Sequence, residues 1–156
     1  MNKTEIERLV AEAKDARINA YTPYSHFNVG AAVVTDGGQH YTGANIENAS
    51  FGLTMCAERN AIFAAASAGV RHIRAIAVIA DTPNGVSPCG ACRQVMTEFA
   101  DADTPVYLSN LHGEVDATTV GELLPGYFTK GDMTMTEHHS GFVALLGGLT
   151  WVNPRL

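Results

Sequence analysis

The chain has 156 residues, 46% of them apolar and 17% charged; this fits one compact domain burying roughly 68–70% of the surface its unfolded form exposes, and excludes a disordered or low-complexity chain. A formal net charge of −6 and a pI near 5.4 leave no clustered cations to release counterions from a phosphate backbone, so no nucleic-acid partner is expected. The first twenty residues mix acids with bases along an amphipathic pattern, unlike a signal or transit peptide, and the apolar run GFVALLGGLTWV (141–152) is shorter than the about 20 residues of a bilayer span, so a cytoplasmic protein without membrane contact is expected.

Ile6, Leu9, Val10, Ala13, Ala16 and Ala20 recur at helical spacing, and a capping box of Thr4 and Glu7 predicts a first helix over 4–20. FNVGAAVV (27–34) and HYTGANIE (40–47) read as strands on either side of Asp36, Gly37 and Gly38, a hairpin signal. An alanine-rich helix over about 56–67 ends at Gly69, and IRAIAVIA (73–80) has the near-continuous apolar character of a strand covered on both faces. After the loop DTPNGVSP come a third helix, CGACRQVMTEFA (89–100), a fourth strand, PVYLSN (105–110), and a short fifth, GEVDATTV (113–120). This order predicts an α/β fold, a single mixed sheet of about five strands sandwiched between helices. No linker divides it. The boundary falls near Gly131 and separates a domain over 1–130 from a C-terminal tail over 131–156, whose apolar run predicts a buried strand or a segment docked on the domain or an interface.

Three cysteines cannot all pair within one chain, and an intracellular setting keeps thiols reduced. Cys89 and Cys92 stand at i, i+3 in PCGAC, where one metal can touch both, and Cys56 opens the preceding helix. The crossover between them returns the chain to the same end of the sheet, and thiolates at helix N-termini are favoured by the aligned backbone dipoles. Three thiolates fill three corners of a zinc tetrahedron. With no fourth cysteine and none of the six histidines two to five residues from a cysteine, the fourth position stays open, as a catalytic zinc requires. Glu58 lies two residues after Cys56, about 200° around a helix. It is therefore expected to face the mouth of the site as an acid/base group rather than a ligand. Three thiolates on Zn²⁺ leave one net negative charge, which weakens the Lewis acid; Arg59, at i+3 from Cys56, is on the right face to offset it.

Cys56-Ala57-Glu58 followed by Pro88-Cys89-Gly90-Ala91-Cys92 resembles the small homotetrameric, three-Cys zinc class of cytidine deaminases. The resemblance extends through YTPYSHFNVGAAV (21–33), NIENASF (45–51), CAERNAIF (56–63), SPCGACRQV (87–95) and ELLPGYF (122–128), in that family's order, and departs from it over 131–156. It implies one zinc per subunit on Cys56, Cys89 and Cys92, with Glu58 as the proton shuttle. It implies ribose contacts from Asn45 and Glu47, a base pocket lined by Phe27, backbone at Ala57 and Ser87 reading the pyrimidine, and Phe51 and Phe128 supplied by adjacent subunits of a homotetramer. The reaction implied is hydrolytic conversion of cytidine and deoxycytidine to uridine and deoxyuridine with release of ammonia, a step of pyrimidine salvage.

Taken singly, Cys56 reads as a buried thiol, Glu58 as a first-turn acid, Arg59 as a solvated charge, Asn45 and Glu47 as turn formers, and Phe27 and Phe128 as core; it is the conjunction that favours the catalytic reading. His26, His40, His72 and His112 read as surface or hydrogen-bonded residues, and His138 and His139 as solvated tail. Rival functions are a deaminase of another aminopyrimidine nucleoside of the blasticidin S type, a non-catalytic zinc module, and a CxxC redox protein. Side-by-side turnover of the nucleosides, and metal analysis with a thiol count, separate them.

Overall fold

A computed structural model describes residues 1–133; GFVALLGGLTWV, His138 and His139 lie outside them. The elements are α1 (Lys3–Ala16), β1 (Val29–Thr35), β2 (His40–Ala44), α2 (Ala57–Ser67), β3 (Ile73–Ala80), α3 (Gly90–Phe99), β4 (Pro105–Asn110), β5 (Val115–Thr119) and a one-turn α4 (Val120–Leu123). The five strands form one sheet in the order β2-β1-β3-β4-β5. Among the described strands only β3 and β4 are parallel, joined by the crossover through α3. This is the mixed sheet between helices that the pattern predicts.

Alternation along the strands sorts the core into two layers. Ala31, Val33, Ile76 and Val106 pack with Ala61, Ile62 and Ala65 of α2 and Cys92 and Met96 of α3. On the opposite face Ala32, Val34, Ala75, Ala77 and Ile79 pack with Leu9 and Ala13 of α1. Two glycines permit the helices to come this close. A Cβ at Gly30 would lie 2.0 Å from the Ala13 carbonyl oxygen on one face, and a Cβ at Gly43 would lie 2.5 Å from both the Ala57 carbonyl oxygen and the Ala61 nitrogen on the other. The end of α2 is also specified by glycine: Gly69, at φ +94°, donates to the Ala66 carbonyl while Val70 donates to that of Ala65.

Several boundaries differ from the sequence reading. The first helix is capped by Asn2, whose side chain accepts from the Glu5 N–H while the Glu5 carboxylate accepts from the Asn2 N–H. That reciprocal pair displaces the box expected at Thr4 and Glu7. The helix ends at Ala16 and continues as one 3₁₀ turn, Arg17–Asn19, because the chain must swing out so that the Tyr21 N–H can reach the Asn45 carbonyl. Phe27 and Asn28 are loop rather than strand, since the Phe27 carbonyl accepts from the Asn45 side chain and the Asn28 carbonyl from Arg17 Nε. β2 stops at Ala44, and Ile46 instead makes single bridges to Tyr21 and Met55. The four described histidines behave as expected: His26 is exposed, His40 bonds Glu12, His112 bonds Asp81, and His72 lies beside Asp36 and Asp101. Among the described residues no helix is long and apolar enough to cross a membrane.

Candidate active site

The N-termini of α2 and α3 lie side by side over the same face of the sheet. Cys56 and Cys89 are the N-caps of these helices, both with extended backbone, and Cys92 sits in the first turn of α3. Their sulfurs gather without a bond: Cys56 Sγ and Cys89 Sγ are 3.8 Å apart, and all three lie within 4.8 Å of one another. With metal–sulfur bonds of about 2.3 Å, tetrahedral geometry puts pairs of sulfurs about 3.8 Å apart. The donor set and its spacing therefore fit a zinc ion. The Cys56 thiol is pushed down to about 5, first because it accepts a hydrogen bond from the Cys92 thiol and then through Arg59. The same hydrogen bond, with burial, pushes Cys92 up. Thiols gathered this closely readily give up their protons to a divalent cation.

Arg59 points back from α2 and donates from Nη2 to Cys56 Sγ at 3.4 Å, as its i+3 position predicts. Glu58 is a correction. The helical-wheel argument took Cys56 and Glu58 as residues of one helix and sent the carboxylate to the mouth of the site; Cys56 is instead the cap, and Glu58 is folded inward, 4% exposed. Burial is the main reason its pKa is raised, and the Cys92 thiol lies within hydrogen-bonding reach of it. A carboxyl held in a dry pocket beside the sulfurs is suited to carry a proton in both directions. Ala57 is fully buried beneath the site.

Asn45 and Glu47 follow the end of β2, and both are already engaged in holding the loop over 21–28. The Asn45 side chain accepts from the Val29 N–H at 2.8 Å and donates to the Phe27 carbonyl at 2.7 Å. The Glu47 carboxylate accepts from the Tyr24 N–H at 2.9 Å, from the Ser25 N–H, and from the Ser25 hydroxyl. The Ser25 hydroxyl, ahead of the backbone donors, holds Glu47 below the ordinary carboxylate value. The left-handed backbone of His26, φ 56°, lies in the turn so formed. Phe27 rides on this loop, 41% exposed, and is therefore no core residue.

Phe51 is 72% exposed and meets Tyr24 edge-on at 5.5 Å between ring centres, across a concavity of about 420 Å³ that Glu47 also lines. Phe128 is exposed on the far side of α3, its carbonyl accepting from Gln94 Nε2 at 2.9 Å. The exposed Ser87 precedes the ligand loop, and its hydroxyl accepts from Arg93. Sequence reasoning missed Ser25, Asn60 and Arg93. Asn60 donates to the Ala44 carbonyl at 2.8 Å and fixes the start of α2 to β2. Arg93 carried a legible signal, being a cation inside the ligand helix with no acid at i±3 or i±4 to pair with.

Residues 3–108 match the family described as the cytidine and deoxycytidylate deaminase zinc-binding region. The cytidine deaminase of Sporosarcina psychrophila is 55% identical over 130 residues, covering 83% of this chain and 96% of that protein. The cytidine deaminase of Halalkalibacterium halodurans is 59% identical over 127 residues, covering 81% and 96%. The crystal structure of cytidine deaminase from Burkholderia pseudomallei superposes with a TM-score of 0.78 at 48% identity, covering 82% of this chain and all of that one. With three cysteine sulfurs spaced for one zinc beside a buried glutamate, and with a family match across most of its length, this chain belongs to the cytidine and deoxycytidylate deaminase family.

Proposed function

We propose that this protein catalyses the zinc-dependent hydrolysis of cytidine and deoxycytidine to uridine and deoxyuridine with release of ammonia. The observation that carries the reading is the three-sulfur cluster of Cys56, Cys89 and Cys92 with the buried Glu58 carboxyl against it. When bound by those sulfurs, zinc supplies Lewis acidity for activating water. Glu58 takes one proton from the attacking water and passes it to N3 of the pyrimidine as the C4–O bond forms; it then takes the proton of the new C4 hydroxyl and passes it to the amine as the C4–N bond breaks and the C4 carbonyl forms. Burial raises its pKa, so the carboxyl holds a proton more readily than a solvated glutamate does, as a group that both takes and returns one must. Arg59 offsets the excess negative charge of three thiolates. Backbone at Ala57 and Ser87 reads the pyrimidine edge and Phe27 packs on the ring. Asn45 and Glu47 take the ribose hydroxyls with the hydrogen-bonding capacity the loop leaves them, and they shape the loop that carries Phe27.

The catalytic unit is residues 1–130, with 131–156 an appendage to it. The exposed Phe51 and Phe128 favour a homotetramer in which neighbouring subunits complete the pocket. A cytoplasmic role in pyrimidine salvage follows from this chemistry. The test is loss of cytidine absorbance with and without a chelator, alongside elemental analysis. Activity that tracks zinc at one ion per chain supports the reading; turnover unaffected by full zinc removal refutes it.

A further inference from the structure

The side chain of Arg93 makes none of the ion pairs found among the described residues, although Arg93 lies directly after a ligand cysteine in α3. Its hydrogen bonds go to groups that do not carry charge. Nε donates to the Pro88 carbonyl at 2.8 Å, Nη2 to the Ser87 hydroxyl at 2.8 Å, and Nη1 to the Leu123 carbonyl at 2.7 Å. Its backbone N–H adds a bond to the Cys89 carbonyl at 3.0 Å. Three of these partners belong to the segment that enters the metal-ligand loop, and the fourth is the last residue of α4. The next residue of α3, Gln94, holds the Phe128 carbonyl. Consecutive residues of the helix that carries Cys92 therefore grip both ends of the stretch 123–128.

We propose that Arg93 is a positioning residue for the deaminase reaction, bridging Ser87 and Pro88 to Leu123 and so fixing the pyrimidine-facing backbone at Ser87 relative to Phe128. The inference rests on the function proposed above. Only a planar fork reaches three diverging acceptors at once; a lysine ammonium on its flexible stem covers one or two. Because the bridge meets neither the sulfurs nor Glu58, its loss loosens substrate placement and leaves the metal and the proton carrier in position.

The test uses zinc-loaded full-length protein with Arg93→Lys and Arg93→Ala, measuring zinc per chain, kcat and KM for cytidine, and amide exchange over 124–128. Expected for Arg93→Ala are unchanged zinc, a KM raised by about 10-fold or more, and a kcat changed by less than about 3-fold, with Arg93→Lys in between. Exchange over 124–128 is expected to accelerate in the same order. An unchanged KM overturns the proposal, as does a loss of zinc and thermal stability with normal KM in the zinc-loaded fraction, which would make Arg93 merely structural. Should the parent protein fail to turn over cytidine, the functional reading falls, and the exchange measurement still decides the bridge: unchanged exchange in Arg93→Ala refutes it.

Discussion

Replacing Gly43 by alanine tests how tightly the catalytic geometry is tied to the sheet. The added methyl would stand 2.5 Å from the Ala57 carbonyl oxygen and 2.5 Å from the Ala61 nitrogen, where ordinary contact begins at 3.4 Å. The deficit of about 0.9 Å falls on backbone, so no side chain can rotate away; the first turn of α2 must lift from β2 or the strand must bend. Overpacking of this kind costs about 1–3 kcal/mol, a fall of roughly 2–12 °C in Tm for a domain of this size. Cys56, Glu58 and Arg59 all belong to the displaced turn, and a displacement near 1 Å at reacting groups lowers kcat/KM by about 100-fold. Thermal unfolding and cytidine turnover of Gly43→Ala, with Gly52→Ala as the control where a Cβ meets open space, give the answer. Wild-type Tm and turnover in Gly43→Ala would refute the argument that α2 is seated by that glycine.

Glu58→Gln should retain one zinc per chain and lose about 10²–10⁴-fold in kcat, since an amide cannot accept and return a proton; near-normal turnover removes Glu58 from the mechanism. Arg59→Ala, which strips the donor from Cys56 Sγ, should weaken zinc binding by about 10–100-fold in competition with a chelator, and unchanged affinity would leave the charge argument unsupported. Glu47 is held below the ordinary glutamate value by Ser25, so its contribution to loop order is present above the unfolded pKa and lost as pH falls through the lower folded value. The Ser25 amide resonance should titrate with a midpoint below about 4.3, and the step should vanish in Glu47→Gln; a midpoint at or above the ordinary value contradicts the clasp.

The elements buried on both faces were the most legible. The third strand has the boundaries its apolar run predicts, because a strand covered by helices on either side must be nearly apolar throughout, and the fourth also keeps its expected bounds. The cysteine cluster was legible for a different reason: a helix start fixes where a side chain stands whatever else surrounds it. What stayed hidden depends on contacts distant in sequence. That Asn45 replaces strand pairing at Phe27, or that Glu47 gathers the amides of Tyr24 and Ser25, cannot be read from either segment alone. The inward turn of Glu58 was lost to a single assumption, that Cys56 was helical; one residue of difference in a boundary swings a side chain through about 100°.

The separation between Cys56 and Cys89 along the chain ties the metal to the fold. An unfolded chain must close a loop of 33 residues before these two thiols can share an ion, an entropic cost of about 4 kcal/mol, or nearly three orders of magnitude in affinity. In the folded domain, packing of α2 and α3 in one core cluster holds the two helix starts together and so closes that loop. The ion and the packed core therefore favour the same closure, and each strengthens the other. Removing zinc is accordingly expected to lower the thermal stability of the domain, and restoring it to raise that stability again.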